Sequence, residues 1–189
     1  MPAWLLSDLP AVIETFETAR MSLRPISLDD VDEMVVLDSD SEVMRYINGG
    51  RPTPRAEMVK TIEASLDHRW VALEKATGML IGWFAIRPSD PDGQERELGY
   101  RLRRDAWGKG YASEGSLALI ALAFNTFGAR RIWAQTMTVN SVSRRVMERC
   151  GLRYVRTFHL NWPEPIDGTE LGDVEYELLM EEWKAVAAH

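Results

Sequence analysis

The sequence has little cysteine and little histidine. Cys150 is the only cysteine, so an intrachain disulfide is excluded and a reducing compartment is compatible with the chain. We expect Cys150, at the end of a helix, to be a core residue rather than a nucleophile. His68 and His159 stand at no spacing typical of a metal site or a catalytic triad, so we expect ordinary roles for both and no metal.

Long apolar runs and a surplus of basic residues are also missing. No run approaches the ~20 residues that a membrane-spanning helix needs. The N-terminal "MPAWLLSDLP" carries an acid early and no basic region, so it is a poor signal peptide. We therefore expect a cytoplasmic protein that does not associate with membranes. The net charge of −7 and the pI of about 5.1 argue against nucleic acid as a partner.

The chain does have enough apolar residues, 46%, for one compact domain over residues 1–189. Residue patterns predict seven strands and five helices. The predicted strands are Ala19–Ile26, Arg69–Lys75, Met79–Pro88, Gln94–Leu102, Arg130–Thr138, Leu152–Leu160 and Asp173–Met180. The predicted helices are Ser27–Asp40, Arg55–His68, a stretch ending at about Phe127, Val142–Arg149 and Glu181–Val186. This order predicts a mixed sheet with helices on its faces, an α/β (α+β) fold.

A turn almost free of large side chains, "DAWGKGYASEG", joins the fourth strand to the long helix. Glycines at the N-terminus of a helix let an anion approach unpaired backbone N–H groups, so the turn could hold a pyrophosphate. The alternative is a tight turn that needs glycine for steric reasons alone. The turn matches neither a Walker P-loop nor a dinucleotide-binding fingerprint. Basic residues gather around it in an otherwise acidic chain: Arg101, Arg103, Arg104 and Lys109.

Several motifs occur together in a fixed order: "ELGYRL", "WGKGYASEG", the "NSVS" after the fifth strand, "MERCGL" and "DVEYELLMEEW". In this order they resemble the GNAT acetyltransferase superfamily, and within it the branch of RimJ/RimL-type ribosomal-protein N-terminal acetyltransferases. The resemblance covers roughly Glu17 to Trp183, so residues 1–16 are expected to be an N-terminal extension. It implies a mostly antiparallel sheet of about seven strands, splayed between the fourth and fifth. It also implies acetyl-CoA as co-substrate and leaves a homodimer open.

The resemblance assigns the cofactor site to the strand before the turn, the turn itself and the helix after "NSVS". In such enzymes the pantetheine arm pairs with the strand and the pyrophosphate meets the turn amides. Trp107 departs from the Gln/Arg that the superfamily pattern has at that position. The residues expected at the cofactor are Tyr100, Arg101, Leu102, Trp107, Gly108, Lys109, Gly110, Tyr111, Ala112, Asn140 and Ser143.

Two residues are candidates for catalysis. Glu97 matches the position at which relatives place a general base, often acting through water, although it could also be a solvated strand residue. A tyrosine that many relatives place four residues before the helix-ending glycine is absent, because Met147 stands there. By resemblance to RimL-type enzymes, Ser143 would then donate to the departing sulfur. Asn140 would hold the pantetheine or the chain, unless it is only a helix cap. Gly99 is expected to ease a bulge in the same strand, unless it serves strand packing alone.

The acceptor is expected to be a primary amine, and a protein N-terminal α-amine is the first choice by analogy with the branch. A small-molecule amine such as a polyamine, an amino acid or an antibiotic is the alternative, and a non-catalytic acyl-CoA-binding module is a further one. Acceptor specificity is expected to lie in the loops around Ile47 and Trp162. Tyr46 could line the site, and acids could attract a cationic amine: Glu164, Asp167, Glu170 and Asp173.

Overall fold

The computed structural model describes residues 14–187, so most of the predicted N-terminal extension lies outside the described residues. The described chain forms one eight-stranded sheet in the order β1-β2-β3-β4-β5-β6-β8-β7. The strands are β1 Phe16–Glu17, β2 Met21–Pro25, β3 Arg69–Glu74, β4 Leu80–Pro88, β5 Glu95–Leu102, β6 Arg131–Met137, β7 Arg153–Phe158 and β8 Asp173–Leu179. The helices are α1 Val31–Ser39, α2 Ser41–Asn48, α3 Arg55–Glu63, α4 Tyr111–Asn125, α5 Ser141–Arg149 and α6 Met180–Ala187.

The predicted mixed sheet with helices on both faces is confirmed, with two added elements. The two-residue strand β1 extends the sheet beyond β2. Helix α2 follows α1 directly, because the Asp40 side chain caps it by accepting from the Glu42 N–H at 3.0 Å. Both elements are short, and Met44 is the buried residue of α2, so neither carries a periodic pattern long enough to identify it.

Helices on the two faces of the sheet bury separate apolar clusters. Helices α1 and α3 cover β3 and β4 through residues such as Met34, Ile62 and Val71. On the opposite face, α4 packs over β4 and β5, where Phe84 and Leu119 are fully buried. A Cβ on Gly115 of α4 would come within 2.3 Å of the Phe84 ring. The glycine therefore lets α4 approach the sheet closely and fixes the position of the N-terminus of α4.

The sheet opens between β5 and β6, as the resemblance implies. These two strands are parallel, and they pair only from Glu95–Arg131 to Glu97–Trp133. Beyond Glu97 the two strands diverge, whereas β5 keeps its pairing with β4 as far as Leu102. The expected bulge at Gly99 is wrong, because Gly99 pairs with Ala85 without a shift of register. We call the gap between the second half of β5 and β6 the splay.

Over residues 14–187, no helix has the length and apolar character required to span a bilayer.

Candidate active site

Strand β5 offers unpaired peptide groups to the splay. Gln94 accepts from Arg131 at the start of β6, whereas the Arg103 N–H donates to Ile81 on the β4 side. Peptide groups alternate along a strand, so the N–H and C=O of Tyr100 and the N–H of Leu102 point towards β6, while the Leu102 carbonyl accepts from the Trp107 indole. Because pairing with β6 ends at Glu97, this edge is available to a partner that is not a strand. A pantetheine arm, with its own amide groups, fits that edge.

The turn between β5 and α4 presents a run of backbone donors. Gly108 has φ +72° and Gly110 has φ +85°, and α4 begins at Tyr111. The Glu114 N–H makes the first helical bond, to Gly110 at 3.1 Å. In the described part of the chain, the six N–H groups from Gly108 to Ser113 meet no hydrogen-bond acceptor. These donors, at the positive end of a 15-residue helix, fit a pyrophosphate.

Long-range contacts that the sequence did not reveal hold this turn in place. The Arg20 guanidinium donates to the Lys109 carbonyl at 2.8 Å and lies 4.4 Å from the centre of the Tyr111 ring. It also forms a 2.6 Å ion pair with Glu114, in the first turn of α4. Burial opposes ionisation of Glu114, but the bonds from Thr18 and Arg20 outweigh it and hold its pKa below 4.5. We call Arg20 and Glu114 the brace.

The side chain of Trp107 also supports the turn. Its indole N–H donates to the Leu102 carbonyl at 2.8 Å, which ties the turn back to the end of β5. The Tyr111 side chain is buried and donates to Glu74. Trp107 and Tyr111 were both predicted at the cofactor, and the structure gives their side chains supporting contacts within the protein. What Tyr111 offers outward is its backbone N–H.

The predicted basic cluster is mostly neutralised by neighbouring acids. Arg101 forms a 2.6 Å ion pair with buried Asp38. Arg104 lies 3.3 Å from Asp40, and Arg103 lies 3.5 Å from Asp105. Among residues 14–187, Lys109 has no ion pair with an acid, and it is exposed at the turn. Its charge is therefore available to an anion held by the turn amides.

Ser143 and Asn140 lie at the start of α5, with Tyr100 close by. Asn140 caps α5, since its side-chain oxygen accepts from the Ser143 N–H at 3.2 Å. The Tyr100 hydroxyl lies 2.9 Å from Ser143 Oγ and 3.2 Å from the Ser143 carbonyl oxygen. Burial raises the pKa of Tyr100 above its ordinary range, so its hydroxyl stays protonated at neutral pH. No residue spacing in the sequence indicates this contact between the Tyr100 phenol and Ser143.

Glu97 lies at the point where the splay begins. One of its carboxylate oxygens accepts from Arg87 of β4, and the side chain is 18% exposed. The other oxygen, Oε1, accepts no hydrogen bond from the described residues and is therefore free to meet a water molecule or an amine. Cys150, by contrast, is buried, and burial raises the pKa of its thiol to about 12, as expected of a core residue.

Glu97 and Ser143 reach the splay from opposite faces of the sheet. Side chains alternate along β5, and Arg101 meets Asp38 at the end of α1, so Glu97 and Arg101 share the α1–α3 face. Tyr100 packs with the cluster on the α4 face, where it meets Ser143. Glu97 and Ser143 therefore flank β5 from opposite faces of the sheet.

Two loops meet over the α1–α3 face. Arg51, after α2, forms an ion pair with Glu164 of the loop that joins β7 to β8. A Cβ on Gly49 would lie 2.9 Å from the Ile166 side chain of that loop. These are the loops in which the sequence placed the acceptor specificity, and we call this contact the loop bridge. Below the second loop lies Asp173, which is buried, and burial raises its pKa.

Comparison with known proteins identifies the class to which this fold and site belong. The sequence profile of the acetyltransferase (GNAT) domain matches residues 20–153, and the chain belongs to this family. The matched region contains the splay, the turn and α5. The chain is accordingly an N-acetyltransferase that uses acetyl-CoA, which confirms the predicted enzyme class and sets aside the non-catalytic module.

The relatives differ in what their names say they act on. The chain is 33% identical over 184 residues to an FsC-acetyl coenzyme A-N(2)-transacetylase of Aspergillus fumigatus, with 89% of this chain and 77% of that protein covered. A spermidine N-acetyltransferase from Vibrio cholerae superposes with a TM-score of 0.75 at 14% identity, covering 88% of this chain and 99% of that one. A RimL ribosomal L7/L12 alpha-N-protein acetyltransferase superposes with 0.74 at 17% identity, covering 89% and 99%. These structural likenesses show the fold and do not single out the RimJ/RimL branch.

The brace makes a testable contribution to the turn. Replacing Arg20 by glutamine should weaken acetyl-CoA binding roughly 3- to 10-fold, since a hydrogen bond to a charged group contributes ~1.5–3 kcal/mol and only part of it supports the turn. Titration calorimetry with acetyl-CoA and with CoA measures the change. Arg55→Gln is the matched control, because Arg55 pairs with exposed Asp32 on the other face of the sheet. Equal affinity of the two variants would show that the brace does not support the amides.

Proposed function

We propose that the protein transfers the acetyl group of acetyl-CoA directly to a primary α-amine, such as a protein N-terminus, within a ternary complex. The observation that carries this proposal is the splay with Glu97 on one face and Ser143 on the other. Acetyl-CoA supplies an activated thioester carbonyl. The residues of this chain bind acetyl-CoA along Tyr100–Leu102 and Gly108–Ala112, orient its carbonyl group, and accept and donate the protons of the reaction.

The choice of an α-amine follows from the proton that must be removed. A lysine-type amine with a pKa of about 10.4 is almost entirely protonated at neutral pH, whereas an α-amine at about 7.7–8.0 is partly neutral. Glu97 has one oxygen engaged by Arg87 and one that is free. Through that free oxygen, directly or through water, Glu97 takes the proton that the amine nitrogen loses as it forms the bond to the carbonyl carbon.

The remaining steps take place on the other face of the sheet. As the C–S bond breaks, the electron pair goes to sulfur, and the resulting thiolate has a pKa near that of cysteine, about 8.5, so it leaves readily. Ser143 Oγ donates to this sulfur, and Tyr100 donates to Ser143. A backbone N–H of β5 that faces the splay, at Tyr100, stabilises the oxyanion. Tyr100 on β5 thus supplies a phenol hydroxyl. Helix α5 lacks one, because Met147 stands where many relatives have a tyrosine.

A small-molecule amine is the second candidate acceptor, and the loop bridge favours it. The contacts of Arg51 with Glu164 and of Gly49 with Ile166 restrict access to the α1–α3 face. The A. fumigatus relative carries a name that specifies an N(2) position, and the V. cholerae structure is named for spermidine. A narrow opening admits a slender amine more easily than a folded protein whose N-terminus is tightly packed.

A thiol-release assay with acetyl-CoA and three acceptor panels tests the proposal. The panels are short peptides with free N-termini, polyamines, and amino acids or amine antibiotics. The α-amine proposal predicts that compounds with a free α-amine are the best acceptors and that N-blocked peptides with a free lysine are poor ones. Turnover of polyamines alone would contradict the α-amine assignment, and mass spectrometry of the products identifies the acetylated nitrogen.

A further inference from the structure

Arg69 of β3 is a half-buried cation without a paired acid. Its guanidinium stacks 4.3 Å from the centre of the Trp83 ring. Its Nε is buried and has no hydrogen-bond partner. Nowhere in residues 14–187 does an acid form an ion pair with it. An unpaired buried charge is costly, so a guanidinium kept in this position calls for an explanation other than stability.

Asp38, whose charge acts on Arg69, and Glu97, on the same face of the sheet, are both engaged by other groups. Asp38 pairs with Arg101 at 2.6 Å and accepts from Thr53 at 2.7 Å. Glu97 accepts from Arg87. The three arginines therefore face two carboxylates, and Arg69 is the excess positive charge. Burial, and then the charge of Arg101, lower the pKa of Arg69 to about 10, so the side chain stays positive at neutral pH.

The sheet register places this charge beside the proposed reaction centre. Arg69 pairs with Ala85, and Ala85 pairs with Gly99, two residues beyond Glu97. Two interstrand spacings, ~10 Å, separate the Arg69 and Gly99 backbones. The Trp83 ring covers that interval, since a Cβ on Gly99 would lie 3.6 Å from it. The Arg101 guanidinium lies 5.4 Å from the same ring.

The sheet surface between Arg69 and the splay is made of small residues, and we call this surface the floor. Ala85 and Gly99 have little or no side chain, so the Trp83 ring is the large side chain that lies on the sheet between Arg69 and Gly99. This floor lies on the α1–α3 face, below the loop bridge, where the acceptor would approach Glu97. A substituent on the acceptor that extends along the floor reaches the guanidinium.

From this arrangement we infer that the acceptor is a small amine with a carboxylate close to the amine, and that Arg69 binds the carboxylate. The inference rests on the proposed transfer to an α-amine and selects, among its acceptors, a small carboxylate-bearing amine over a protein N-terminus. A guanidinium presents parallel N–H donors that match the two oxygens of a carboxylate. Trp83 holds the guanidinium through a cation–π contact at 4.3 Å. The same positive charge favours the neutral form of a nearby amine, which is the form that reacts.

The test compares acceptors that differ in the carboxylate, with kcat/KM expressed per neutral amine because the carboxylate also raises the pKa of the amine beside it. Free amino acids and their α-carboxamides share one amine and one side chain, and the thiol-release assay gives kcat/KM for each. The wild-type enzyme should prefer the carboxylate at least about tenfold. Arg69→Gln should remove that preference by raising KM for the acids roughly 10- to 100-fold. It should leave the KM for the amides and for acetyl-CoA within about twofold of wild type.

Control variants separate binding from folding. Arg69→Lys keeps the charge without the planar donors and should restore part of the preference. Arg24→Gln changes another arginine of the sheet, whose partner is Asp30, and should leave the preference intact. If Arg69→Gln lowers kcat/KM equally for acids and amides, or if the wild type shows no preference, the inference is wrong and Arg69 only packs against Trp83. Dipeptide amides with aspartate or asparagine in second place show whether a peptide side chain can supply the carboxylate.

A different result would contradict the proposed function itself. If no α-amine of either series releases thiol while acetyl-CoA still binds, the acceptor class itself is wrong. Activity with both series and no effect of Arg69 would leave the α-amine in place and reject only the carboxylate.

Discussion

Replacing Gly108 by alanine should raise the KM for acetyl-CoA at least about tenfold and cost only ~1–2 kcal/mol of folding stability. A Cβ at this position meets no protein atom within 4 Å, so no steric clash contributes to the loss of stability. The loss comes from the left-handed backbone alone, at φ +72°. The effect on KM comes from the same open space, into which the methyl group projects beside the free N–H groups. Each lost bond to a charged phosphate is worth ~1.5–3 kcal/mol. Steady-state kinetics and thermal melts measure the two effects separately.

Gly78 and Gly128 provide matched controls for this substitution. They have φ +70° and +66°, and a Cβ on either meets nothing within 4 Å. Alanine at each should therefore cost the same stability as at Gly108 and leave the KM for acetyl-CoA unchanged. If all three variants lose stability equally and none changes KM, the glycine turn is only a steric requirement of the chain. In that case the pyrophosphate would have to be held elsewhere.

Replacing Glu97 by glutamine should lower kcat/KM about 100-fold near pH 6.5, because a positioned general base contributes roughly 10²–10⁴-fold. The deficit should shrink as the pH rises past about 8, since an α-amine then loses its proton to solvent without help. Glutamine keeps the size of the side chain and can still accept from Arg87. The measurement is a pH profile of kcat/KM at saturating acetyl-CoA, with an acceptor that the panels identify.

Glu95→Gln is the control for the Glu97 variant. Glu95 lies two residues earlier on β5, has the same orientation and pairs with Arg131. It is the more exposed of the two and lies before the splay begins. Its substitution should leave the pH profile unchanged. A Glu97→Gln enzyme with the wild-type profile would show that Glu97 is a structural partner of Arg87 and that another group, or water alone, takes the proton.

Local patterns in the sequence predicted the parts of the site that depend on neighbouring residues. The glycine turn, the strand before it and the long helix after it form one continuous segment, so spacing alone locates them. The same holds for Asn140 as a cap of α5, because capping joins residues three apart. The splay was accessible only through the resemblance, since pairing between strands separated by a helix leaves no local signal.

The parts that the sequence missed depend on contacts between distant segments. Arg20 meets Glu114 across 94 residues, and Tyr100 meets Ser143 across 43. Neither pair has a characteristic spacing. The basic residues near the turn were interpreted as an anion site because they are close together in the sequence. The sequence does not show that Asp38 of α1 and Asp40, its C-terminal cap, form ion pairs with two of them in the fold. Arg69 was missed for the converse reason, since an unpaired charge is recognised only once its neighbours are known.

The separation of the two faces by the splay has a consequence for how such an enzyme diversifies. On the proposed assignment, the backbone groups that bind acetyl-CoA lie in one continuous segment, from β5 through the start of α4, and α5 adds Ser143. The groups that meet the acceptor come from Asn48–Arg51, the loop between β7 and β8, and Arg69. Mutations on the acceptor side can accumulate without altering carrier binding, so specificity can drift between paralogues while the donor chemistry is inherited unchanged.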